Sequence, residues 1–254
     1  MPEPLSIFGL AGEHAVISGG GSGLGLAIAE CFVAAGARVT LVGTNAEKLE
    51  NAARSLGEAA GWQRFDVTDL DGAPGFAEAV QDRFGAASIL VNNAGTTVKK
   101  PLRDMSPAEF EAVLDVHVGG AFGLTKAFLP QLVERQGSAL FTASMSSFLG
   151  IPNVIGYSAA KSAYVGMIRA LATELAPDGV RVNGVAPGWI DTALFRQATS
   201  ADPARLAKIK GRIPMQRFGS GADIGWAMTY LASRAAGYVT GHVLTVDGGA
   251  LYAF

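Results

Sequence analysis

Short apolar runs alternate with longer segments of helical spacing along nearly the whole chain. The runs are Ala15-Val16-Ile17, Val39-Thr40-Leu41-Val42, the end of Gly61-Trp62-Gln63-Arg64-Phe65, Ile89-Leu90-Val91, Ala139-Leu140-Phe141, Val180 to Val185, and Val243-Leu244-Thr245-Val246. Each has the length of a buried strand and most stop at Gly, Asp or Asn, residues that suit turns. Between most of them lie ten or more residues with an amphipathic period, as in Leu26-Ala27-Ile28-Ala29-Glu30-Cys31-Phe32-Val33. Seven strands alternating with helices predict βαβ units, and so an α/β fold: a doubly wound, mostly parallel seven-stranded sheet with helices on both faces. No Pro/Ser linker, charge run or internal repeat interrupts the pattern, which predicts one domain over 1–254. Residues 193–212 are more polar, follow a strand end, and are expected to form a helical flap over the sheet's carboxyl edge.

Composition sharpens this picture. The chain has 254 residues, 49% hydrophobic and 17% charged, against a usual charged share of about 25%. It carries 33 glycines, where average usage predicts about 18. They have no G-x-y period, so collagen is excluded, and the apolar content excludes disorder. With 20 Lys+Arg and 22 Asp+Glu the net charge is −2, which provides no basic footprint for nucleic acid. The lone cysteine, Cys31, suits a reducing compartment, and MPEPLSIFGLAGEHA lacks the basic end and apolar run of a signal peptide. Gln136 to Lys161 has no charge before Lys161 itself, but its serines, Pro152 and Asn153 mark it as strand, loop and helix start rather than a membrane span. A soluble cytoplasmic protein is expected. His14, His117 and His242 are scattered and show no metal-ligand spacing.

The first run ends in Ser18-Gly19-Gly20-Gly21-Ser22-Gly23-Leu24-Gly25 and passes straight into a helix. Glycines here let backbone approach a pyrophosphate, and the helix start supplies free N–H donors at the positive end of its dipole. The spacing is G-x-x-x-G-x-G through Gly19, Gly23 and Gly25. With a hydroxyl residue ahead of it, this loop resembles that of the short-chain dehydrogenase/reductase family. The resemblance runs the length of the chain. Asp66-Val67 is similar to the family's adenine-binding aspartate and its neighbour. Asn92-Asn93-Ala94-Gly95 resembles its N-N-A-G motif, Pro187-Gly188-Trp189-Ile190-Asp191-Thr192 its P-G-x-x-x-T, and Val246-Asp247-Gly248-Gly249 the end of its last strand. It implies a Rossmann-type, dinucleotide-binding catalytic domain. The implied cofactor contacts are Ser18, Gly19, Gly21, Ser22, Gly23, Leu24, Gly25, Asp66, Val67, Asn93, Ala94, Gly95, Pro187, Gly188, Ile190 and Thr192.

Tyr157 and Lys161 stand four apart in Tyr157-Ser158-Ala159-Ala160-Lys161, so a helix carries both on one face. A tyrosine near pKa 10 needs about 4 kcal/mol to titrate near 7. An ammonium about 4 Å away supplies that at an effective dielectric of about 20. The pair therefore makes sense as a tuned acid–base. In the family, Lys161 also binds ribose, and a serine thirteen residues before the tyrosine holds the substrate carbonyl. Counting back, that serine is Ser144; Ser146 and Ser147 are nearby alternatives that better suit lining the pocket or capping the loop. One position departs from the family: Val116-His117-Val118-Gly119-Gly120 has His117 where an asparagine usually helps hold a water near the lysine. Either His117 holds that water, or it is a packed histidine bonded to backbone. His117→Asn is expected to keep most activity.

Cofactor choice is read after the second strand, where an acid selects NAD and an arginine accommodates NADP. Leu41-Val42-Gly43-Thr44-Asn45 has neither. Thr44 and Asn45 can donate to a phosphate, so the cofactor is NADP or NAD with a lean to NADP. The implied substrate is a small alcohol or carbonyl compound, met by Thr96, Thr97, Met145, Ser146, Asn153, Val154, Trp189, Leu194 and Phe195. Lys99-Lys100, Ala143 to Phe148 and Arg212 to Gly219 resemble segments of the family's gluconate 5-dehydrogenase and 2-deoxygluconate 3-dehydrogenase members, which suggests a sugar or sugar acid. For Lys99-Lys100, a solvated loop or subunit contact is the stronger expectation. Alternatives are a 3-ketoacyl-carrier-protein reductase and a non-catalytic dinucleotide-binding regulator. The resemblance also implies a homotetramer, with the apolar tail Ala250 to Phe254 buried against a neighbour.

Overall fold

All seven expected strands form: β1 (His14–Ser18), β2 (Arg38–Gly43), β3 (Ala60–Arg64), β4 (Ile89–Asn92), β5 (Ser138–Thr142), β6 (Arg181–Pro187) and β7 (Val243–Val246). They make one sheet in the order β3-β2-β1-β4-β5-β6-β7 with every pairing parallel. The computed structural model describes residues 5–192, 195–196 and 203–253. The helices are α1 (Gly23–Ala34), α2 (Ala46–Leu56), α3 (Ala73–Phe84), α4 (Pro107–Leu114), α5 (Gly120–Glu134), α6 (Ile155–Leu175), α7 (Pro203–Gly211) and α8 (Gly221–Ala232).

Strand side chains alternate between two cores, as a period of two requires. Val16, Leu90, Ala139 and Phe141 meet Phe76, Phe128, Tyr164 and Ile168 from α3, α5 and α6. Ala15, Ile17, Ile89, Val91 and Leu140 meet Ile28, Phe32, Leu49 and Met228 from α1, α2 and α8. On that second face, Gly221 and Gly225 lie one turn apart on α8. A Cβ at Gly221 would sit 2.5 Å from Ala27 Cβ, and one at Gly225 would sit 2.4 Å from Cys31 Sγ. Part of the glycine surplus is therefore helix packing rather than ligand binding. The thiol is buried there, and burial pushes it up to about 11, which leaves it unreactive at neutral pH.

Two boundaries differ from the sequence expectation in a way that matters for the site. The sixth strand runs on past Val185 to Pro187, which pairs with Val246, and so delivers Gly188 to the carboxyl edge. Between α4 and α5, Asp115–Gly119 forms a π-helical turn. Such turns interrupt the α-helical ladder and re-aim side chains, frequently at functional sites; here the turn carries His117. Of the expected flap, Phe195, Arg196 and α7 are helical, while Ala193, Leu194 and residues 197–202 lie outside the described residues. The crossovers turn in opposite directions on either side of β1 and β4. That opens a crevice outside their carboxyl ends, where doubly wound folds bind ligands.

Candidate active site

The glycine loop lies at this switch point. Gly19 has φ +66°, a conformation that glycine adopts without strain. A Cβ at Gly25 would come within 2.2 Å of the Gly19 carbonyl oxygen, so the first turn of α1 closes onto the loop only because Gly25 lacks a side chain. At the mouth of α1, Ser22 is the N-cap and makes no side-chain cap bond. Beside Gly23 nothing lies within 4 Å of where a Cβ would be. Open space thus adjoins the unsatisfied N–H groups of a helix start, which fits a pyrophosphate. At the adjoining strand end, Asn45 Oδ1 caps α2 by accepting the Lys48 N–H at 2.9 Å. Arg64, the last residue of β3, stands in register with Gly43 across the β2–β3 ladder, one residue before Thr44. The Asp66 carboxylate accepts from Thr68 N and Thr68 Oγ1. Val67 is buried against Gly120, where a Cβ would lie 2.7 Å from Val67 Cγ2.

Several cofactor candidates hold the crevice wall together. Ser18 is 1% exposed. Its hydroxyl donates to Val91 O and accepts from Asn93 N and Ala94 N at 2.9 and 3.0 Å, fastening the end of β1 to that of β4. Asn93 Nδ2 returns to Ser18 O, and its Oδ1 accepts from Thr142 Oγ1. Gly95 is glycine because the His117 ring lies over it: a Cβ there would be 2.2 Å from His117 Cε1. Pro187 and the Ile190 side chain are buried, the latter in the second core, so Ile190 offers only backbone to the crevice. At Gly188 a Cβ would fall 2.6 Å from Asp247 Cβ. The Thr192 hydroxyl accepts from Phe195 N at 3.2 Å.

β5 and α6 bring the chemical group together. Ser144 follows β5 as the N-cap of the 3-10 turn Met145–Ser147, and its hydroxyl accepts from Ser146 N at 3.1 Å. The Ser144 hydroxyl is close enough to Tyr157 to influence its titration. Lys161, one turn further along α6, is buried with its Nζ donating to Thr142 O at 2.6 Å and lying 5.6 Å from the Tyr157 ring centroid. This corrects the simple electrostatic expectation. Burial is the largest influence on Tyr157 and raises its pKa, while the Ser144 hydroxyl lowers it. Burial brings Lys161 itself down to about 7. The tyrosine is thus set by burial against a neighbouring hydroxyl, and it stands beside a lysine whose own charge is costly. Ser147 closes the unit by donating to Lys161 O at 2.7 Å. Ser146 and Met145 are both buried, so Met145 does not line an open pocket as expected.

His117 is buried, and its Nε2 lies 2.8 Å from Thr96 O. Bonding to backbone is what the packed-histidine reading expects, yet Nδ1 is buried without a protein partner. The ring meets Tyr157 edge-on at 5.7 Å between centroids. Burial, with the Lys161 charge adding to it, lowers His117 to about 4, so the ring is neutral at physiological pH. Sequence reasoning missed Tyr164, seven residues after Tyr157 and so on the same helical face. The signal was present as Tyr157, Lys161 and Tyr164 at i, i+4 and i+7.

Two neighbouring hydroxyls at the carboxyl edge can together hold one carbonyl or alcohol oxygen and exchange a proton with it. Beside a dinucleotide crevice, that chemistry is the work of an NAD(P)-dependent oxidoreductase acting on CH–OH and C=O groups. Comparison with known proteins agrees. A family model described as Enoyl-(Acyl carrier protein) reductase matches residues 19–250. The 2-dehydro-3-deoxy-D-gluconate 5-dehydrogenase of Pseudoalteromonas atlantica is 38% identical over 250 residues, covering 96% of this chain and 98% of the relative. The 3-oxoacyl-[acyl-carrier-protein] reductase FabG of Chlamydia muridarum is 33% identical, covering 94% and 98%. The crystal structure of a gluconate 5-dehydrogenase from Burkholderia cenocepacia J2315 in complex with NADP and tartrate superimposes with a TM-score of 0.94 at 32% identity, covering 99% of this chain and 100% of that one. The chain belongs to the short-chain dehydrogenase/reductase family.

Proposed function

We propose that this oxidoreductase interconverts an alcohol and a ketone on a sugar acid, with NADP preferred. The observation that carries the substrate class is the charge at the rim of the site. Lys100 pairs with Glu109, which also accepts from Ser106 N to close the α4 capping box. Its backbone N–H donates to Asn153 O at 2.9 Å. Lys99 is exposed and forms no ion pair among the described residues. The segment 96–100 is held to His117 at one end and to Asn153 at the other. It therefore presents Thr96, Thr97 and one exposed ammonium on a segment tied to His117, whose ring meets Tyr157, a set suited to a hydroxylated carboxylate. The gluconate-type relatives support the same class.

In the proposed mechanism Tyr157 Oη gives a proton to the substrate oxygen during reduction and takes it back during oxidation. Ser144 holds that oxygen, Lys161 stabilises the tyrosinate, and the Ser147 bond to Lys161 O keeps the serine turn registered on α6. The nicotinamide supplies or accepts the hydride when bound. The Gly19–Gly25 loop and the start of α1 would hold its pyrophosphate, and Asp66 and Thr192 lie along the same carboxyl edge.

Absorbance of the reduced nicotinamide, followed over a panel of sugar acids, polyols, simple ketones and ketoacyl thioesters, tests the substrate class. Turnover confined to ketoacyl thioesters would point instead to the carrier-protein reductase. Lys99→Ala should raise KM for sugar acids about tenfold with little change in kcat, since a charge-assisted hydrogen bond contributes roughly 1.5–3 kcal/mol in a protected site and less at a solvated rim. Lys100→Ala should leave KM within about twofold, because Glu109 already holds that ammonium. Equal KM for wild type and Lys99→Ala would count against direct recognition. NADP preference is supported by the absence of an acid at Gly43-Thr44-Asn45 and by Arg64 on the adjoining strand in register with Gly43. Comparing kcat/KM for the two nucleotides on one substrate decides it, and a strong NAD preference would show the assignment wrong. We also propose a cytoplasmic homotetramer. The large apolar groups left exposed, Phe122, Trp226, Tyr238 and Tyr252, support assembly, and light scattering at micromolar concentration would reveal a monomer.

A further inference from the structure

Lys161 is 3% exposed, and no carboxylate forms an ion pair with it among the described residues. On the neighbouring helix Glu109 is committed to Lys100, and Glu111 and Asp115 are exposed. Its single hydrogen bond to protein among those residues goes to the Thr142 carbonyl. What surrounds the ammonium otherwise is aromatic: its Nζ lies 4.6 Å from the Tyr164 ring centroid and 5.6 Å from that of Tyr157. Both are within the distance at which a ring face attracts a cation.

Tyr164 is among the largest fully buried side chains, and a phenylalanine would fill nearly the same volume without a hydroxyl to satisfy. Here the hydroxyl has a specific partner: it donates to His117 O at 3.1 Å in the π-helical turn. Phe141 and His117 meet the ring edge-on at 5.3 and 6.2 Å. The ring is thus held on several sides with its face toward Nζ.

We propose that Tyr164 is a positioning residue for the proton-transfer pair: its ring face holds the Lys161 ammonium in the core, and its hydroxyl, tied to the His117 carbonyl, keeps that face in place. The titratable groups facing the lysine are then Tyr157 and Tyr164 from α6 and His117 from the π-helical turn, with Thr142, Ser144 and Ser147 contributing only neutral dipoles. If Tyr157 moves the proton with Lys161 stabilising its tyrosinate, as proposed above, Tyr164 keeps the lysine charged where burial would discharge it. The same sequence face that carries the acid–base pair therefore also carries its support.

The test separates the ring's electrons from its bulk. Lysine labelled with 13C at Cε is introduced into the full-length protein, the Lys161 signal is identified by its loss in Lys161→Met, and its titration is followed by NMR. Replacing Tyr164 by phenylalanine and then by pentafluorophenylalanine keeps the shape while removing attraction to a cation. The Lys161 midpoint should fall by about one pH unit between those two rings, and Tyr164→Leu should lower it similarly where that variant folds. The alkaline limb of kcat/KM should move down with it. A midpoint that stays put from phenylalanine to its fluorinated form overturns the proposal, whatever happens to activity. A protein inactive on every substrate whose midpoint nonetheless moves would instead overturn the catalytic assignment and leave the aromatic support standing.

Discussion

Tyr157→Phe is expected to lower kcat/KM by on the order of 10³-fold, within the range that a positioned general acid–base contributes, while the protein stays folded. The variant loses one hydroxyl and keeps the ring that meets His117 edge-on. Ser144 does not become an orphan, since its oxygen still accepts from Ser146 N. The stability cost should therefore be about 1 kcal/mol or less. Steady-state kinetics on the best substrate of the panel, paired with a thermal melt and a nucleotide-binding titration, separates chemistry from folding. Nucleotide affinity within a few-fold of wild type is expected. A phenylalanine variant that retains more than a tenth of the wild-type rate would mean that another group moves the proton, and the assignment of Tyr157 would fail.

Lys161→Met is expected to be inactive by a comparable factor and yet more stable than the wild type. A buried lysine brought from 10.5 to about 7 by desolvation is charged in the unfolded chain and only half charged in the fold at neutral pH. Unfolding therefore binds protons between those values, so stability rises with pH across that window and is lowest at and below pH 7. Methionine fills the same channel without that cost, although it leaves the Thr142 carbonyl without its donor. The net gain should be about 2–3 kcal/mol at pH 7, shrinking as pH climbs toward 10.5. Denaturant melts at several pH values test both the sign and the trend. A variant less stable than wild type at pH 7 would show that the lysine holds the site together rather than straining it. The expected trade of stability for function is the usual cost of placing a charge where chemistry needs it.

Much of the architecture was legible because its signals are local. β1, β4 and β5 are buried on both faces, so they read as unbroken apolar runs, and β7 occupies the residues expected of it. The glycine loop was legible because its spacing reflects backbone contacts within a few residues, such as Gly25 against Gly19. Tyr157 and Lys161 were legible because one helical turn sets their spacing. The roles of individual side chains were less so. Ser18 looked like a cofactor contact from its place in the motif, but its hydroxyl joins two strands whose partner residues lie 73 to 76 positions away. Lys99 and Lys100 looked equivalent until Glu109, nine residues on, was seen to hold one of them.

By itself, then, the sequence determined the alternation of strands and helices, the glycine-lined helix start and the spacing of the acid–base pair. All of these are set by backbone geometry within a turn or two. Only the tertiary structure decided what surrounds that pair. Burial, rather than a facing charge, dominates the titration of both Tyr157 and Lys161. A π-helical turn aims His117 at Thr96 and Gly95, and the face of Tyr164 meets the ammonium. Those facts depend on which segments, far apart in the chain, exclude water from the same few cubic ångströms. No local pattern encodes desolvation, because it is a property of all the neighbours at once.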